Sequence, residues 1–293
     1  MPIPRRERAG MSILVAQSAL QRVRRAFVHD HVRRARIACL YLWRHGRWPN
    51  FDRPQLFTEW VQWRKLHGRH GNLAVLTDKL RSKALVASLC DSNLCVPTLW
   101  AGTALPEEPP GAFPLMVKAN HGCRQLRVVR SPREWRRARR SARRWISSVY
   151  GGWLDEYQYR AARRLVLVEP LLGDGQRLPD DYKVYVFGGR AAIVQHHAGR
   201  GTGGHRWTQF DRDWVRVGGA PSAASRPLTL TAMIETAERL SRETDFLRVD
   251  FYEIDGRLWF GEFCLFPGSG LDPFEPVALD RRLGRLWNEA RRK

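Results

Sequence analysis

Two acidic residues near the end of the chain stand at positions suited to meet. Asp250 lies in "RVDFY" and Glu262 in "FGEFC", and Asp255-Gly256 lies midway between them. Asp-Gly between two apolar runs is a strong signal for a hairpin turn. Residues at similar distances from such a turn are cross-strand neighbours, so the two carboxylates would lie close together. A pair of carboxylates is costly to bury, and a divalent cation such as Mg²⁺ would stabilise it.

Lysine is rare in this chain, which makes its positions informative. Only six of the fifty basic residues are Lys: Lys65, Lys79, Lys83, Lys118, Lys183 and Lys293. Lys is a compact point charge and Arg a wide planar fork, so an Arg-rich chain would keep Lys where only the small head fits. Lys118 follows the apolar run "PLMV", and Lys183 begins another apolar run. Ammonium groups and carboxylates at strand ends are the groups that hold Mg²⁺ and a polyphosphate.

Two turn-forming segments accompany these residues. "NHG" (120–122) follows the strand of Lys118, and "PGSG" (267–270) follows the predicted hairpin. Backbone N–H groups in such turns can point at phosphate oxygens. The chain contains no Walker sequence and no kinase HRD or DFG sequence, so the pattern indicates a nucleotide site of another type.

The elements that must position these residues are mixed. Apolar runs bounded by Gly, Pro and Asp predict strands over 96–102, 114–119, 125–130 and 164–172, and hairpins over 180–200 and 246–270. Apolar periodicity predicts helices over 55–70, 76–90, 131–150, 229–245 and 279–292. In the third helix, Ser131 as cap and Pro132 in the first turn predict the start. Mixed strands and helices with several antiparallel hairpins predict an α+β fold.

Composition suggests where the chain divides. Residues 1–45 are basic and helix-like, either as an amphipathic helix on an acidic membrane surface or as a helix packed on the domain behind it. The Pro-rich segment 104–114 is the best internal boundary. We expect an extension over 1–45, a region over 46–113 and a domain over 114–293, which divides into subdomains of about 114–170 and 171–293.

The net charge of +21 favours anionic partners, although a general preference for Arg over Lys accounts for part of it. The Arg-rich helix over 133–144 could bind nucleic acid or form a solvated face over a packed stripe.

No apolar run approaches the ~20 residues of a membrane helix. Five cysteines without CxxC spacing indicate free thiols. We therefore expect a cytoplasmic protein.

Five segments in order resemble one known family: "LTDKLRSK", "LMVKANHG", "VEPLL", "DYKVYVFGG" and "RVDFYEIDGRLWFGEFCLFPGSG". They are similar to the ATP-grasp superfamily and, more narrowly, to its TupA-like group, named for teichuronopeptide biosynthesis. The resemblance runs from about Trp48 to Leu286. It implies an ATP-grasp fold, in which two α+β subdomains sandwich ATP, and an ATP- and Mg²⁺-dependent carboxylate–amine ligase that acts through an acylphosphate.

The resemblance also implies roles for individual residues. Lys118, with Lys79 or Lys83, would contact the phosphates, together with the turn of His121 and Gly122. Glu169 and Leu171 would form the adenine hinge. Asp250 and Glu262 would hold Mg²⁺. The catalytic residues would be Lys183, facing the phosphates, and Arg248, facing the transferred phosphoryl group or the substrate carboxylate.

This chain departs from the wider superfamily at three places. Cys264 stands where an Asn commonly follows the metal-binding Glu, Cys123-Arg124-Gln125 replaces a Gly-rich loop, and Pro170 replaces a second hinge acid. Two alternatives therefore accompany the ligase interpretation, namely a degenerate ATP-grasp scaffold and a basic polyanion-binding protein. The group's name suggests a glycan carboxylate, such as a uronic acid, and an amine or amino acid as substrates, handled near the anionic inner face of the membrane. Nucleic acid is the less favoured partner.

Overall fold

The computed structural model describes residues 30–68, 71–173, 178–199, 203–222 and 224–292. The chain forms two units, Met1–Pro49 and Asn50–Lys293. In the first unit, residues 30–45 form helix α1. The remainder of the predicted N-terminal helix, residues 1–29, lies outside the described residues. All further elements belong to the second unit.

The second unit contains five α-helices and ten strands among the described residues. The helices are α2 (Phe57–His67), α3 (Lys79–Leu89), α4 (Pro132–Ser147), α5 (Leu230–Leu240) and α6 (Val277–Ala290). The strands are β1 (Trp100–Gly102), β2 (Leu115–Ala119), β3 (Leu126–Val129), β4 (Val166–Pro170), β5 (Asp181–Phe187), β6 (Arg190–Ala198), β7 (Arg206–Phe210), β8 (Arg216–Gly219), β9 (Phe246–Ile254) and β10 (Arg257–Cys264). The predicted α+β class is confirmed.

The strands form two antiparallel sheets. The small sheet has four strands in the order β1-β4-β2-β3, and the large sheet has six in the order β10-β9-β5-β6-β7-β8. Both predicted hairpins lie in the large sheet, as β5–β6 and β9–β10. Strands β7 and β8 were not predicted, because each is short and their pairing depends on the neighbouring β6.

Helix α4 covers one face of the small sheet. Ser131 caps its first turn by accepting a hydrogen bond from the backbone N–H of Glu134 at 3.3 Å. Trp135, Ala138 and Ala142 are buried together with apolar residues of β2, β3 and β4, as the spacing predicted. The arginines of this helix lie on its other sides, so the small sheet and α4 enclose a core of their own.

In the large sheet, side chains of β9 alternate between its two faces. Along β9, Val249 and Phe251 lie in the main apolar core, whereas Arg248 and Asp250 lie on the opposite face. Helices α2, α5 and α6 contribute to the same core, and Phe57 of α2 lies in its aromatic centre. On the face of Arg248 and Asp250, helix α2 packs against Phe187 and Phe246, and the polar residues lie farther along the strands. The candidate site lies at this polar part of the face.

Candidate active site

A row of polar residues crosses the large sheet. Strand register places Glu262 opposite Asp250, Asp250 opposite Lys183, Lys183 opposite Gln195, and Gln195 opposite Gln209. We call these five residues the polar row. The expected meeting of the two carboxylates across the last hairpin is thus observed, and Lys183 stands beside them on the next strand.

Asp250 is the most enclosed member of the polar row. It accepts hydrogen bonds from Arg248 Nε at 2.7 Å and Nη2 at 2.6 Å, and from Lys183 Nζ at 2.7 Å. Burial by itself would raise the pKa of Asp250, but the charges of Arg248 and Lys183 outweigh burial and lower it to about 2. The carboxylate therefore stays ionised at neutral pH. Lys183 also pairs with Asp181, and the pKa of Lys183 is raised because its two carboxylate partners outweigh its burial.

A bulge in β10 sets the direction of Glu262. The register shifts between Phe260 and Glu262, so Gly261 is the extra residue. A Cβ atom at Gly261 would come within 3.0 Å of the carbonyl oxygen of Asp250, which favours glycine there. The side chain of Glu262 remains 34% exposed, and its Oε2 lies 3.7 Å from Lys79 Nζ. Glu262 is therefore the carboxylate of the pair that a ligand can reach.

Lys118 of β2 and Lys83 of α3 share one buried carboxylate, that of Glu169 in β4. Lys118 Nζ lies 2.6 Å from Glu169 Oε2, and Lys83 Nζ pairs with Glu169 Oε1. Lys83 also donates to the carbonyl oxygen of Val96 at 2.6 Å. Burial would raise the pKa of Glu169, but the charges of Lys118 and Lys83 outweigh it and lower that pKa. The carboxylate thus fixes both ammonium groups in the wall of a cleft.

The first turn of α3, the helix that carries Lys79 and Lys83, is held by side chains on both sides. Asp78 caps α3 by accepting from the N–H of Arg81 at 3.0 Å, and it also accepts from Arg163 Nε at 2.9 Å. Asn120 accepts from the N–H of Leu80 at 3.0 Å and donates to the carbonyl oxygen of Arg163 at 2.8 Å. The Asn of "NHG" therefore ties the lysine-bearing helix to the end of β2.

The turn after β2 differs in part from the expectation. Lys79 Nζ donates to the carbonyl oxygen of Gly122 at 2.8 Å, so Gly122 and Lys79 adjoin. His121 is buried, and its Nε2 lies 3.0 Å from the carbonyl oxygen of Trp145 in α4. Its imidazole is turned toward the helix and is not part of the cleft wall. A role of His121 in cofactor binding would therefore have to come from its backbone.

A cleft of about 630 Å³ lies between the two sheets. Its wall includes Lys83, Lys118, Glu169 and Leu171, and an adjoining cavity is lined by Lys79 and Glu262. The N–H of Leu171 donates to the carbonyl oxygen of Pro114 at 3.1 Å, within the small-sheet side of the cleft. Six of the predicted site residues therefore line the cleft or its adjoining cavity: Lys79, Lys83, Lys118, Glu169, Leu171 and Glu262.

Arg248 faces a second cavity on the same face of the large sheet. Sequence reasoning did not predict its other walls, which include Tyr185, Gln195, His197, Trp207 and Gln209. Tyr185 donates to Gln195 Oε1 at 2.8 Å, and Gln195 Nε2 lies 2.8 Å from His197 Nε2. Burial, with the charges of Lys183 and Arg248, lowers the pKa of His197 to about 2, so this imidazole is neutral. The strand alternation in "IVQHH" was the signal for these residues.

A left-handed turn borders this second cavity. Gly268, Ser269 and Gly270 have φ of 52°, 58° and 65°. Lys65 Nζ donates to Ser269 O at 2.7 Å and to Ser269 Oγ at 2.6 Å, and Gln62 Nε2 donates to Ser269 O and Gly270 O at 2.9 and 3.0 Å. Lys65 is only 2% exposed. The rare lysine of α2 therefore holds the "PGSG" turn in shape, which the sequence alone did not reveal.

The carboxylates of the polar row fit a Mg²⁺ ion. Mg²⁺ is commonly held by one or two carboxylates together with phosphate oxygens and water. The hydrogen bonds of Asp250 use both acceptor positions of Oδ2 and one of Oδ1, which leaves one position on Oδ1. Glu262, opposite Asp250, can turn its exposed oxygens to the same ion. Within the described residues, three His, Cys, Asp or Glu side chains do not gather into a complete metal site.

Two of the departures from the superfamily pattern are thiols, that of the buried Cys264 and that of the half-buried Cys123. Cys264 is 7% exposed, and burial raises the pKa of its thiol, so it is a neutral group and not a hard-ion ligand. Burial likewise raises the pKa of the Cys123 thiol, which lies 3.0 Å from the hydroxyl of Tyr159. Neither thiol adds a negative charge to the cleft. The positive charges of the cleft wall are those of Lys79, Lys83 and Lys118.

Comparison with known proteins gives a family and a set of similar folds. A family model described as TupA-like ATPgrasp matches residues 59–288. No curated protein sequence matches the chain.

Among solved structures, the chain is similar to D-alanine–D-alanine ligase from Bacillus anthracis complexed with ATP, at 14% identity and a TM-score of 0.47, over 74% of this chain and 66% of that chain. It is also similar to L-amino acid ligase from Bacillus licheniformis, at 12% identity and a TM-score of 0.47, over 73% and 50%. The chain thus spans about half to two-thirds of the length of these two proteins.

Proposed function

Because the chain belongs to the TupA-like ATP-grasp family, we propose that it is an ATP- and Mg²⁺-dependent ligase that joins a carboxylate to an amine. The resemblance and the ATP-grasp fold predicted from five sequence segments are confirmed by the family match. One observation carries the proposed activity: Glu262 of the polar row lines the same cavity as Lys79, Lys83 and Lys118.

The proposed nucleotide contacts follow from the cleft wall. Lys79, Lys83 and Lys118 would neutralise phosphate oxygens, and Glu169 would keep Lys83 and Lys118 in place until the nucleotide binds. The carbonyl of Leu171 would accept a hydrogen bond from an adenine amino group. Asp250 and Glu262 would hold Mg²⁺, which would draw charge from the phosphates during transfer.

The acid substrate would occupy the second cavity. Arg248 stands at the junction of that cavity with the polar row and would orient the substrate carboxylate toward the γ-phosphate. Lys183, held by Asp250, would stabilise negative charge on the phosphoryl group while that group is transferred from ATP to the acid. Transfer of the γ-phosphoryl group to the carboxylate would release ADP and leave the acid as an acylphosphate. Attack of the amine on the acyl carbon would then form the amide and release phosphate.

We further propose a role in making a cell-surface polysaccharide or peptidopolymer, with a uronic-acid-type carboxylate as one acceptor. The neutral amides of Gln195 and Gln209 and the ring of Trp207 suit a hydroxylated acid better than a purely apolar one. Because one fold serves many substrates, this part of the proposal depends on the cavity and not on the family.

Nucleotide binding tests the proposal first. A ligand at ~100 times its dissociation constant stabilises a protein by about 2.7 kcal/mol, so millimolar Mg-ATP should raise the thermal midpoint of the wild type. Lys118→Ala and Glu262→Gln should lose most of that shift, whereas Glu289→Gln, an exposed change on α6, should keep it. A wild type that shows no shift with Mg-ATP would favour a degenerate scaffold or a polyanion-binding protein.

A further inference from the structure

The positive charge of this chain is concentrated in two segments. Residues 114–173 contain fourteen basic and four acidic residues, a net charge of +10, and residues 1–49 contain eleven and two, a net charge of +9. Residues 178–293 contain seventeen basic and sixteen acidic residues, a net charge of +1. A general preference for Arg over Lys would not separate the charge in this way. The small sheet and α4 therefore form a basic lobe beside a nearly neutral one.

Helix α4 carries seven of the fourteen basic residues of segment 114–173. Six of its arginines are exposed: Arg133, Arg136, Arg137, Arg140, Arg143 and Arg144. We call them the arginine face. Within the described part of the chain, no ion pair involves any of the six. The carboxylate of Glu134, the one acid of the helix, accepts from the backbone N–H of Arg130 at 2.6 Å instead.

Exposed apolar side chains follow directly on α4. Val149 is 60% exposed and Trp153 is 69% exposed. The buried stripe of α4 is already used in the small core, so this helix cannot insert its own apolar side into a bilayer. Arginines that stay in the headgroup layer, with a tryptophan beside them, are the combination found where proteins rest on an anionic lipid surface.

We propose that the arginine face, with Val149 and Trp153, docks this protein on a membrane surface that contains anionic phospholipid. We favour this partner because its negative charge complements the arginine face and because an exposed tryptophan suits the headgroup layer. Each Arg near such a surface contributes about 1 kcal/mol, or roughly a fivefold change in binding, and the effect weakens with salt. The proposal does not depend on the ligase activity, because the arginine face lies outside the cleft wall.

Vesicle binding by the full chain tests this proposal. The measurement is co-sedimentation with vesicles of phosphatidylcholine alone and of phosphatidylcholine with phosphatidylserine. The test variant is Arg136→Gln/Arg140→Gln/Arg143→Gln. The matched control is Arg281→Gln/Arg282→Gln/Arg285→Gln, which removes three exposed charges from another helix, α6. Thermal midpoints of both variants within a few degrees of the wild type would show that each is folded.

The expected result is salt-sensitive binding to the phosphatidylserine vesicles alone. The α4 variant should lose roughly tenfold or more in affinity, and the α6 variant should lose little. Trp153→Ser should also weaken vesicle binding. Equal losses in the two triple variants, or wild-type chain that stays in the supernatant, would overturn the proposal. Tight α4-dependent binding to duplex RNA or DNA without vesicle binding would overturn it in favour of a nucleic-acid surface.

Discussion

At the scale of single residues, Glu169 organises two cations that would otherwise repel each other. Its carboxylate is 2% exposed and contacts both Lys83 and Lys118. A buried charge is tolerated where partners compensate it, and removal of one partner leaves the others uncompensated. The carboxylate therefore acts on the cleft through the lysines as well as through any contact with a nucleotide.

Glu169→Gln should consequently destabilise the protein. The amide keeps the shape of the side chain but cannot balance two ammonium groups, so we expect the free energy of unfolding to fall by about 3 kcal/mol. Urea unfolding monitored by circular dichroism measures this quantity. Glu108→Gln, an exposed change of the same type, should lie within about 0.5 kcal/mol of the wild type. Equal stability of the two variants would contradict the assigned role of Glu169.

At the scale of elements, the first turn of α3 depends on Asp78. Burial would raise the pKa of Asp78, but hydrogen bonds from Arg163 and from the backbone lower it from 3.8 to about 2. A carboxyl with a lowered folded-state pKa stabilises the fold above its unfolded pKa and loses that contribution as the pH falls. The start of the lysine-bearing helix is therefore acid-sensitive.

Asp78→Asn should reveal that contribution. Asparagine can still cap the helix but cannot form the ion pair with Arg163, so stability at neutral pH should fall by about 2 kcal/mol. Between pH 4 and about pH 2, the variant should lose less stability than the wild type, because it has one fewer carboxylate to protonate. Urea midpoints across this range measure the difference, and parallel curves would count against the shifted pKa.

The left-handed turn at 268–270 is a second element that other elements hold in place. Gly270 has a φ of 65°, and a Cβ atom there would come within 2.8 Å of Val61 Cβ and 2.9 Å of Thr58 O in α2. The turn therefore needs glycine both for its backbone conformation and for its contact with α2.

Gly270→Ala should cost about 3 kcal/mol of stability, from the left-handed backbone and from overpacking together. Gly152→Ala is the matched control, because a Cβ atom at Gly152 would meet nothing within 4 Å. Thermal and urea unfolding of the two variants give the comparison. A Gly270→Ala protein as stable as the Gly152→Ala protein would show that α2 does not hold the turn closely.

At the scale of the whole second unit, two separate cores stand on either side of the cleft. The small sheet and α4 share one core, whereas the large sheet shares a much larger core with α2, α5 and α6. Local opening is easier where fewer apolar groups are buried. The small lobe should therefore be the more dynamic of the two.

Hydrogen exchange should show this difference. Amides of β2, β4 and α4 should exchange faster than those of β5 and β9 in the ligand-free protein. Mg-ATP should slow exchange in β2 and β10, whose residues line the cleft walls, and should leave α5 unchanged. Uniform exchange across both lobes would contradict the predicted difference in dynamics, and slowing by Mg-ATP that is confined to α5 would contradict a nucleotide site between the sheets.

The sequence by itself was sufficient for features that depend on neighbouring residues. The Asp-Gly turn was enough to predict that Asp250 and Glu262 lie near each other, because hairpin register is local. Their direct pairing depends on the bulge at Gly261, which the spacing did not predict, because an unbroken register would pair Asp250 with Gly261. The cap at Ser131 and the buried stripe of α4 were likewise readable from spacing alone. The family resemblance, which rests on five short segments, added the ATP-grasp fold.

Only the tertiary structure decided which distant residues share a space. Lys65 was one rare lysine among six, and its contact with Ser269 joins residues 204 positions apart. The second cavity joins the predicted β5–β6 hairpin to β7 and β9, whose pairing with that hairpin no local pattern specified. The imidazole of His121 is turned to α4 by its contact with Trp145. Such contacts depend on how the chain returns to itself, since spacing along the sequence sets the direction of a side chain but not the partner that it meets.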